Sequence, residues 1–574
     1  MIKSWHIKQI NYVLVVILAL GFILRLYDLN WDQGFHLHPD ERAITLFTVP
    51  LEMPISIQEF LSVNSPLNPH FFAYGSLPLY LLKLSGTFIS NSSLLFAQYE
   101  KINLVGRFIS AFFDIGTLFI IYLLGKKLFN KYIANLSAFF YAISVLPIQL
   151  SHFYAVDTLL NFFIFLTLYL LINFYEKSTI RNALITGAAF GFALGTKISA
   201  TVILASIGFA LAIDFILIFL KNLHHPKIWF PHIPKFIKTL ILKGVVVAIS
   251  AIVVFIIVEP YALIDFREFW QQTIQQRQMT YDAFTFPYTL QYVGKIPYFY
   301  ELKNIFLWGQ GPILAIVSFV GALYFTIVAI RKEKKTKWAQ ELILVVFFWT
   351  YFFVVGKFAV GWMRYMLPLY PLFSLFAAVL VWKLHSLVKE KLKINPSISI
   401  ILNSLFIILL LVWPLAFMNI YTKPNTRVLA SNWIYQNIPL DKTIAVEHWD
   451  DQLPLGGSPY KTITLPLYDP DTFQKWQIIN KNLGEIDYII IASNRLYVPL
   501  QKLTDCKKFP PYHCYPITTK YYKDLFNGRL GYEKVAEFEN LPTIPLLDIP
   551  INDQNADESF TVYDHPKVMI FKKQ

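Results

Sequence analysis

Charged and titratable residues crowd the stretch that follows the first apolar segment: Arg25, Asp28, Asp32, His36 and the run His38-Pro39-Asp40-Glu41-Arg42. Asp40 and Glu41 form a carboxylate pair behind a proline that fixes the local backbone, an arrangement suited to a general base. A solvated polar loop that merely contains acids reads the same way, because Asp-Glu pairs are common. Further ionisable groups recur at the ends of later apolar segments: Arg107, Asp157 in Ser151 to Thr158, Lys197 after Gly195-Thr196, and Arg364 in Trp362-Met363-Arg364-Tyr365. Singly, each is explained by anchoring at a membrane interface, where a charge costs much less than at mid-depth. Jointly, carboxylates and cations at one face suit transfer of a sugar from a polyprenyl phosphate. A carboxylate takes the proton of an acceptor hydroxyl. Cations, with Arg able to bind in bidentate fashion, stabilise the departing lipid phosphate. The sequence has no phosphate-cradling loop of the P-loop or GxGxxG type.

The elements that must position these groups follow from composition. The chain has 574 residues, of which 55% are hydrophobic, 17% aromatic and 15% charged; a typical soluble protein has roughly 25% charged residues. Mean hydropathy is +0.47. These values exclude a disordered, collagenous or disulfide-scaffold chain and predict a polytopic α-helical membrane protein. About eleven transmembrane helices are expected, at 10–29, 103–125, 132–150, 158–175, 183–197, 199–220, 241–262, 311–330, 340–356, 364–383 and 397–419. No small-residue cleavage site follows the first, so it reads as a retained helix.

The loops between them alternate in charge. One set holds Lys126, Lys127 and Lys131; Lys177 and Arg181; Lys221, Lys227, Lys235 and Lys238; Arg331, Lys332, Lys334, Lys335 and Lys337; and Lys383, Lys389, Lys391 and Lys393. The short loops of the other set hold almost none. The positive-inside rule then puts the N-terminus, with Lys3 and Lys8, in the cytoplasm and the region after the last span outside the cell membrane. Much of the net charge of +13 is thereby explained without a nucleic-acid partner.

Two external loops are long, 30–102 and 264–310. In the first, Phe71 to Leu84 reads as an amphipathic helix at the membrane surface. The second carries Tyr281, Tyr288, Tyr292, Tyr298 and Tyr300, which suit an interfacial belt or a platform for lipid or sugar. The chain divides at 419 into a transmembrane domain, 1–419, and an extracytoplasmic soluble α/β domain, 420–574. The latter is expected to hold helices from Asn425-Thr426 to Asn437 and from Asp471 to Asn482, with strands at 443–447, 488–492 and 567–572. Its two cysteines, Cys506 and Cys514, are read as a disulfide ahead of a zinc site or a nucleophile. Asp114, in mid-span, reads equally as helix-packing glue or a functional acid, and Asp214 reads as structural. Glu447, Asp450 and Asp451 read as a solvated strand end, with reach into an acceptor site as the alternative.

The order of these features resembles a family. A first span ending in Arg25-Leu26 leads to the external His38-Pro39-Asp40-Glu41. Then come Tyr74 to Leu82, Gly106-Arg107-Phe108-Ile109-Ser110, Asp157, Gly191 to Lys197, and Arg364-Tyr365-Met366-Leu367-Pro368-Leu369-Tyr370-Pro371. Over Arg25 to about Ala378 the chain looks like the bacterial relatives of protein O-mannosyltransferases, the phospholipid-carrier-dependent glycosyltransferases of the GT-C fold, glycosyltransferase family 39. Trp433 to Pro439, Glu447 to Asp451 and Val562 to Lys567 resemble the tail of a bacterial subgroup. The resemblance implies an inverting hexosyltransferase, mannosyl or similar, with Asp40 as base, Glu41 orienting acceptor or sugar, and Asp157 as the second acid. It implies Arg364 and Lys197 at the lipid phosphate, with Arg107, His38 and Tyr365 in the substrate site. No cofactor is firmly implied. A divalent metal stays open, as one relative of the fold uses one near the carrier phosphate, with His38, His70 and His152 as weak ligand candidates. The implied partners are a polyprenyl-phosphate sugar, an envelope protein, lipid or glycan as acceptor, and the bilayer. The eukaryotic enzymes carry a β-trefoil between spans where this chain has a C-terminal α/β domain, so a protein acceptor does not follow.

Two rivals accompany this expectation. A transporter or lipid-sugar flippase would place ionisable or helix-breaking features near the midplane in paired halves, whereas most charges here lie at the edge. A non-catalytic envelope scaffold, with the tail as its working part, is the other.

Overall fold

The computed structural model describes residues 11–331, 337–392 and 395–574; Lys3, Lys8, Lys332, Lys334, Lys335 and Lys393, used above to orient the chain, lie outside them. Each expected span falls on a helix. These are α1 (Tyr12–Leu26), α4 (Ile102–Leu128), the bent pair α5 (Lys131–Ala142) and α6 (Val145–Ser151), α7 (Asp157–Glu176), α8 (Ile180–Thr196), α9 (Leu204–Lys221), α10 (Val245–Val258), α12 (Pro312–Arg331), α13 (Trp338–Val355), α14 (Tyr370–Leu392) and α15 (Pro396–Met418). Among the described residues eight helical runs are long and apolar enough to cross a bilayer, or nine if the bent pair is one span. Helices α1 and α8, of 15 and 17 residues, fall short by length. The longer helices of the two long loops are α2 (Pro39–Thr48), α3 (Ser76–Ile89) and α11 (Phe266–Tyr281). The surface helix expected from Phe71 thus starts later, because Gly75 sits at its N-cap and the backbone before it is held against another helix end.

Two local devices shape the bundle. Between α5 and α6 the chain bends by 59°, which leaves carbonyls at the end of α5 without intrahelical partners. Arg25 answers them: its guanidinium donates to the carbonyls of Ala142 at 3.0 Å and Tyr141 at 3.4 Å, and its Nε donates to Asp114 at 2.6 Å. Both side chains are fully buried. Asp114 is therefore the counterion of a helix break, which decides between the two readings of that residue in favour of packing. Asp214 accepts from the Tyr175 hydroxyl at 2.9 Å.

The second device is a small-residue stripe, Gly187, Gly191 and Gly195, along α8. A Cβ at these positions would lie 2.3 Å from the Val247 carbonyl oxygen, 2.5 Å from that of Ala251 and 2.3 Å from a Val258 methyl. Only glycine lets α8 and α10 approach this closely. At the outer end of the stripe, Gly75 donates its N–H to the Thr196 carbonyl at 3.0 Å, and Glu259 accepts from the Ser76 backbone and hydroxyl. The turn between α8 and α9, which carries Lys197, is thereby tied to the start of α3.

After α15 come α16 (Thr426–Asn437), α17 (Phe473–Glu485) and α18 (Pro516–Phe526). They flank strands β1 (Thr443–Glu447), β2 (Lys461–Leu465), β3 (Tyr488–Ile491), β4 (Tyr532–Phe538) and β7 (Val568–Lys573), while β5 (Thr543–Ile544) and β6 (Ile549–Pro550) pair separately. The five-stranded sheet has order β2-β1-β3-β7-β4, with β1 parallel to both β2 and β3 and with β7 antiparallel to its neighbours. Cys506 and Cys514 are disulfide-bonded, with Cα atoms 5.3 Å apart. The sheet unit is pinned to the bundle by a buried charge cluster. His565 lies between Asp553 at 2.8 Å and Asp564 at 2.5 Å, and Asp564 also accepts from Gln149 of α6 at 3.0 Å and Tyr421 at 2.8 Å. Burial opposes a charge on His565, but Asp564 and Asp553 raise it to about 10, so it is an imidazolium at neutral pH.

Candidate active site

Helix α2 separates the carboxylate pair into two environments. His38 caps its N-terminus, Nδ1 accepting from the Glu41 N–H at 3.4 Å, and Pro39 occupies the first turn. Successive residues on a helix point about 100° apart, so Asp40 and Glu41 face different ways. Glu41 turns into the bundle and takes Arg107 in a two-pronged pair, at 2.6 and 2.9 Å, while Arg107 also grips Asp32 at 2.6 and 3.0 Å. All three side chains are fully buried. The second Glu41 oxygen also accepts from the Tyr154 N–H at 2.8 Å. Glu41 and Arg107 face the bundle and staple the first long loop to α4, with five hydrogen bonds converging on the one guanidinium.

Asp40 faces a cavity of about 470 Å³. Arg364, in the turn that opens α14, donates to its Oδ2. Burial pushes the Asp40 carboxyl up, but the Arg364 guanidinium and a hydrogen bond from Tyr74 hold it at about 2. Arg364 also lies 3.9 Å from Asp157, the first residue of α7, where a carboxylate complements the helix dipole. Lys197 donates to the other Asp157 oxygen at 3.2 Å and sits over the rings of Tyr365 and Tyr74, 5.0 and 5.6 Å from their centroids. Asp40, Asp157, Lys197, Arg364 and Tyr365, drawn from four helix ends, are thus brought together. Two of their polar atoms, Arg364 Nε and Asp157 Oδ2, are buried without a hydrogen-bond partner. His38 is near but turned aside. Its ring is packed between Phe153 and Tyr563, with centroids at 4.5 and 4.2 Å, and burial lowers it to about 4, so it is neutral and acts as a cap.

The far wall comes from the sheet unit. Trp449, Asp450, Asp451, Arg495, Glu558 and Tyr563 line the cavity with Tyr288 and Gln291 of the second long loop. Arg42 of α2 meets Asp451 at 3.0 Å, and Asp450 is buried against Arg427 at 2.9 Å. The expectation of a solvated strand end therefore fails for these acids. It fails for Glu447 as well, which is buried, with Tyr522 donating at 2.6 Å, and burial raises its carboxyl to about 8. Arg495 donates to Glu558 at 2.7 Å and to the Trp449 carbonyl at 3.1 Å, and Gln291 donates to the second Glu558 oxygen at 2.6 Å. Burial raises Glu558 to about 7 against the pull of Arg495. Arg495 and Glu558 went unassigned from sequence, where nothing local to them signals a site; Tyr288 stood there only among the tyrosines read as a belt or platform.

The residues do not fit a divalent metal as arranged. Among the described residues no three His, Cys, Asp or Glu side chains are placed to share an ion. Both ring nitrogens of His152 face backbone carbonyls at 2.9 Å, and His70 pairs with Asp265 at 3.1 Å.

Comparison with solved structures gives the fold. The apo oligosaccharyltransferase of Archaeoglobus fulgidus superimposes with a TM-score of 0.50 at 15% identity, covering 96% of this chain and 76% of that one. The AglB oligosaccharyltransferase of the same organism, in complex with an inhibitory peptide and a dolichol-phosphate, gives 0.49 at 13%, covering 98% and 88%. ArnT from Cupriavidus metallidurans bound to undecaprenyl phosphate gives 0.43 at 11%, covering 85% and 94%. No curated protein matches by sequence. At these identities the likeness shows the fold alone, that of a polytopic α-helical membrane protein. Within it, residues 88–233 match the family model described as dolichyl-phosphate-mannose-protein mannosyltransferase, so the chain is similar to the protein O-mannosyltransferases over α4 to α9.

Proposed function

We propose that the protein transfers a hexose, mannose or a close relative, from a polyprenyl-phosphate donor to a hydroxyl acceptor at the outer face of the cell membrane, with inversion. The observation that carries this reading is the convergence of Asp40, Arg364 and Lys197 on one cavity at the helix ends, with Asp157 close to both cations. The match of residues 88–233 to a family named for dolichyl-phosphate-mannose supports the donor. The acceptor O–H gives its proton to the Asp40 carboxylate as the oxygen bonds to the anomeric carbon. The bond from that carbon to the phosphate oxygen breaks, and its electron pair leaves on the lipid phosphate. Arg364 and Lys197 stabilise that charge. Held at about 2, Asp40 is a weak base while Arg364 neutralises it. Engagement of Arg364 by a phosphate, through its unpartnered Nε among others, loosens that pair and raises the basicity of Asp40. Asp157 keeps both cations in place.

The basic loops of the opposite face support a cytoplasmic N-terminus. Because the unit 420–574 walls the same cavity, it belongs on the outer side. A translocation pathway finds little support, since the mid-span Asp114 is neutralised by Arg25 from the last turn of α1.

The test is transfer of radiolabelled mannose from polyprenyl phosphate to a pool of envelope acceptors by the purified protein. Asp40→Asn is expected to reduce the rate about 10²–10⁴-fold with melting unchanged. Equal rates would remove Asp40 as base, and no turnover of any carrier-linked sugar would return the question to transport or scaffolding.

A further inference from the structure

We infer that the acceptor is a carbohydrate chain, bound in the crevice between the sheet unit and the second long loop; this rests on the glycosyltransferase reading above and adds the acceptor to it.

The placement follows from topology. Strand β1 has β2 on one side and β3 on the other, both parallel to it, so the chain leaving β1 and the chain leaving β3 part in opposite directions. In parallel sheets, ligand crevices form at the carboxyl ends of such a strand pair. The segments that leave here are Trp449 to Asp451 after β1 and Ser493 to Arg495 after β3. Trp449, Asp450, Asp451 and Arg495 from them line the cavity. The cation pair Arg364 and Lys197 occupies the membrane-proximal end, where a lipid phosphate enters. The end formed by the sheet unit is left for the acceptor.

The chemistry of that end identifies the ligand. An aromatic row runs from it towards the cations: Trp449 to Tyr288 at 6.1 Å, Tyr288 to Trp362 at 6.1 Å, and Trp362 to Tyr365 at 5.4 Å between ring centroids. Trp449 is 51% exposed and held in the left-handed region, φ 63°, where a non-glycine residue is uncommon and the position over-determined by its surroundings. The Arg495 guanidinium braces its carbonyl at 3.1 Å. An exposed indole fixed in this way offers a flat apolar face. Beside the row stand planar polar groups, Asp451, Arg495, Glu558 and Gln291. Aromatic faces flanked by paired carboxylate, guanidinium and amide groups complement a sugar ring, apolar on its C–H face and ringed with hydroxyls that both donate and accept. An extended peptide would instead seek backbone partners along an open strand. The edge strands of the sheet are β2 and β4, and neither contributes a residue to the cavity.

The experiment uses the full chain in nanodiscs with soluble oligosaccharides of increasing length and, in parallel, Ser/Thr-containing peptides. Without donor, saturation-transfer NMR reads binding alone. With donor, the acceptor KM is measured. The expected result is binding of oligosaccharides but not peptides, with KM falling as the chain lengthens. Trp449→Ala and Tyr288→Ala are expected to raise KM for the longer chains about tenfold, and Trp449→Phe to restore most of it, which a merely unfolded variant would not allow. Peptides that bind and accept sugar while oligosaccharides do neither would overturn the inference, as would a length dependence untouched by both alanine variants. Oligosaccharide binding lost in Trp449→Ala, with no donor turnover under any condition, would uphold the crevice and overturn the donor reading.

Discussion

At the scale of single residues, neighbouring acids do unlike work because the helix turns between them. Asp40 and Glu41 are equivalent in the sequence, yet one meets a guanidinium at a cavity and the other a guanidinium in the bundle. The site was legible as a set of types, since Asp40, Asp157, Lys197 and Arg364 each stand out at the end of an apolar run. What was not legible is which cation serves which acid. Asp40 and Arg364 are 324 positions apart, and Arg42 and Asp451 are 409 apart, so no local spacing records either pairing. A prediction belongs to Glu447. Its folded carboxyl is raised by burial from 4.5 to about 8, so the folded state holds a proton that the unfolded state gives up. The stability this contributes is fully present below about pH 4.5 and lost as pH rises through about 8. The melting temperature is therefore expected to fall by a few degrees between pH 6 and pH 9, and Glu447→Gln to flatten that slope; an unchanged slope would contradict the buried, protonated acid.

At the scale of elements, spans were predictable and their junctions were not. Apolar length reveals a helix, but the 59° bend between α5 and α6 depends on Arg25 from another helix. In the sheet unit, α16, β1, β3 and β7 were anticipated within a residue or so. Strands β2 and β4 escaped because exposed polar residues, Lys461 and Thr464 in the one and Glu533, Lys534 and Glu537 in the other, interrupt their apolar pattern, and without β2 the crevice between β1 and β3 could not be foreseen. The staple between α4 and the first loop carries its own prediction. Arg107→Met would leave Asp32 and Glu41 buried without a partner, a loss of about 3–5 kcal/mol when one side of a buried ion pair is removed. Melting in detergent is expected to drop sharply, in contrast to Asp40→Asn, which should spare melting and remove transfer. Equal thermal stability of Arg107→Met and the parent would show that the staple contributes nothing.

At the scale of the whole molecule, charge asymmetry between the loops supports the orientation that the proposed chemistry requires. In a background with Cys506 and Cys514 replaced, single cysteines at the exposed positions Ser178 and Ser458 report opposite faces. An impermeant thiol reagent is expected to label position 458 on intact cells and position 178 only after permeabilisation; the reverse pattern would turn the site to the cytoplasm.

The cavity is closed by segments made in a fixed temporal order. The helices bearing Asp40, Asp157, Lys197 and Arg364 leave the ribosome well before the stretch that holds Glu558, Tyr563 and the Asp553–His565–Asp564 clamp. For that interval the bundle holds its acids and cations with one wall missing, open to water. If the proposed chemistry holds, a ribosome stalled beyond α15 would thus leave a nascent chain with its cations in place and no wall to keep water from the sugar. On the proposed function, late synthesis of the clamp would withhold turnover until the C-terminal unit has folded onto the bundle.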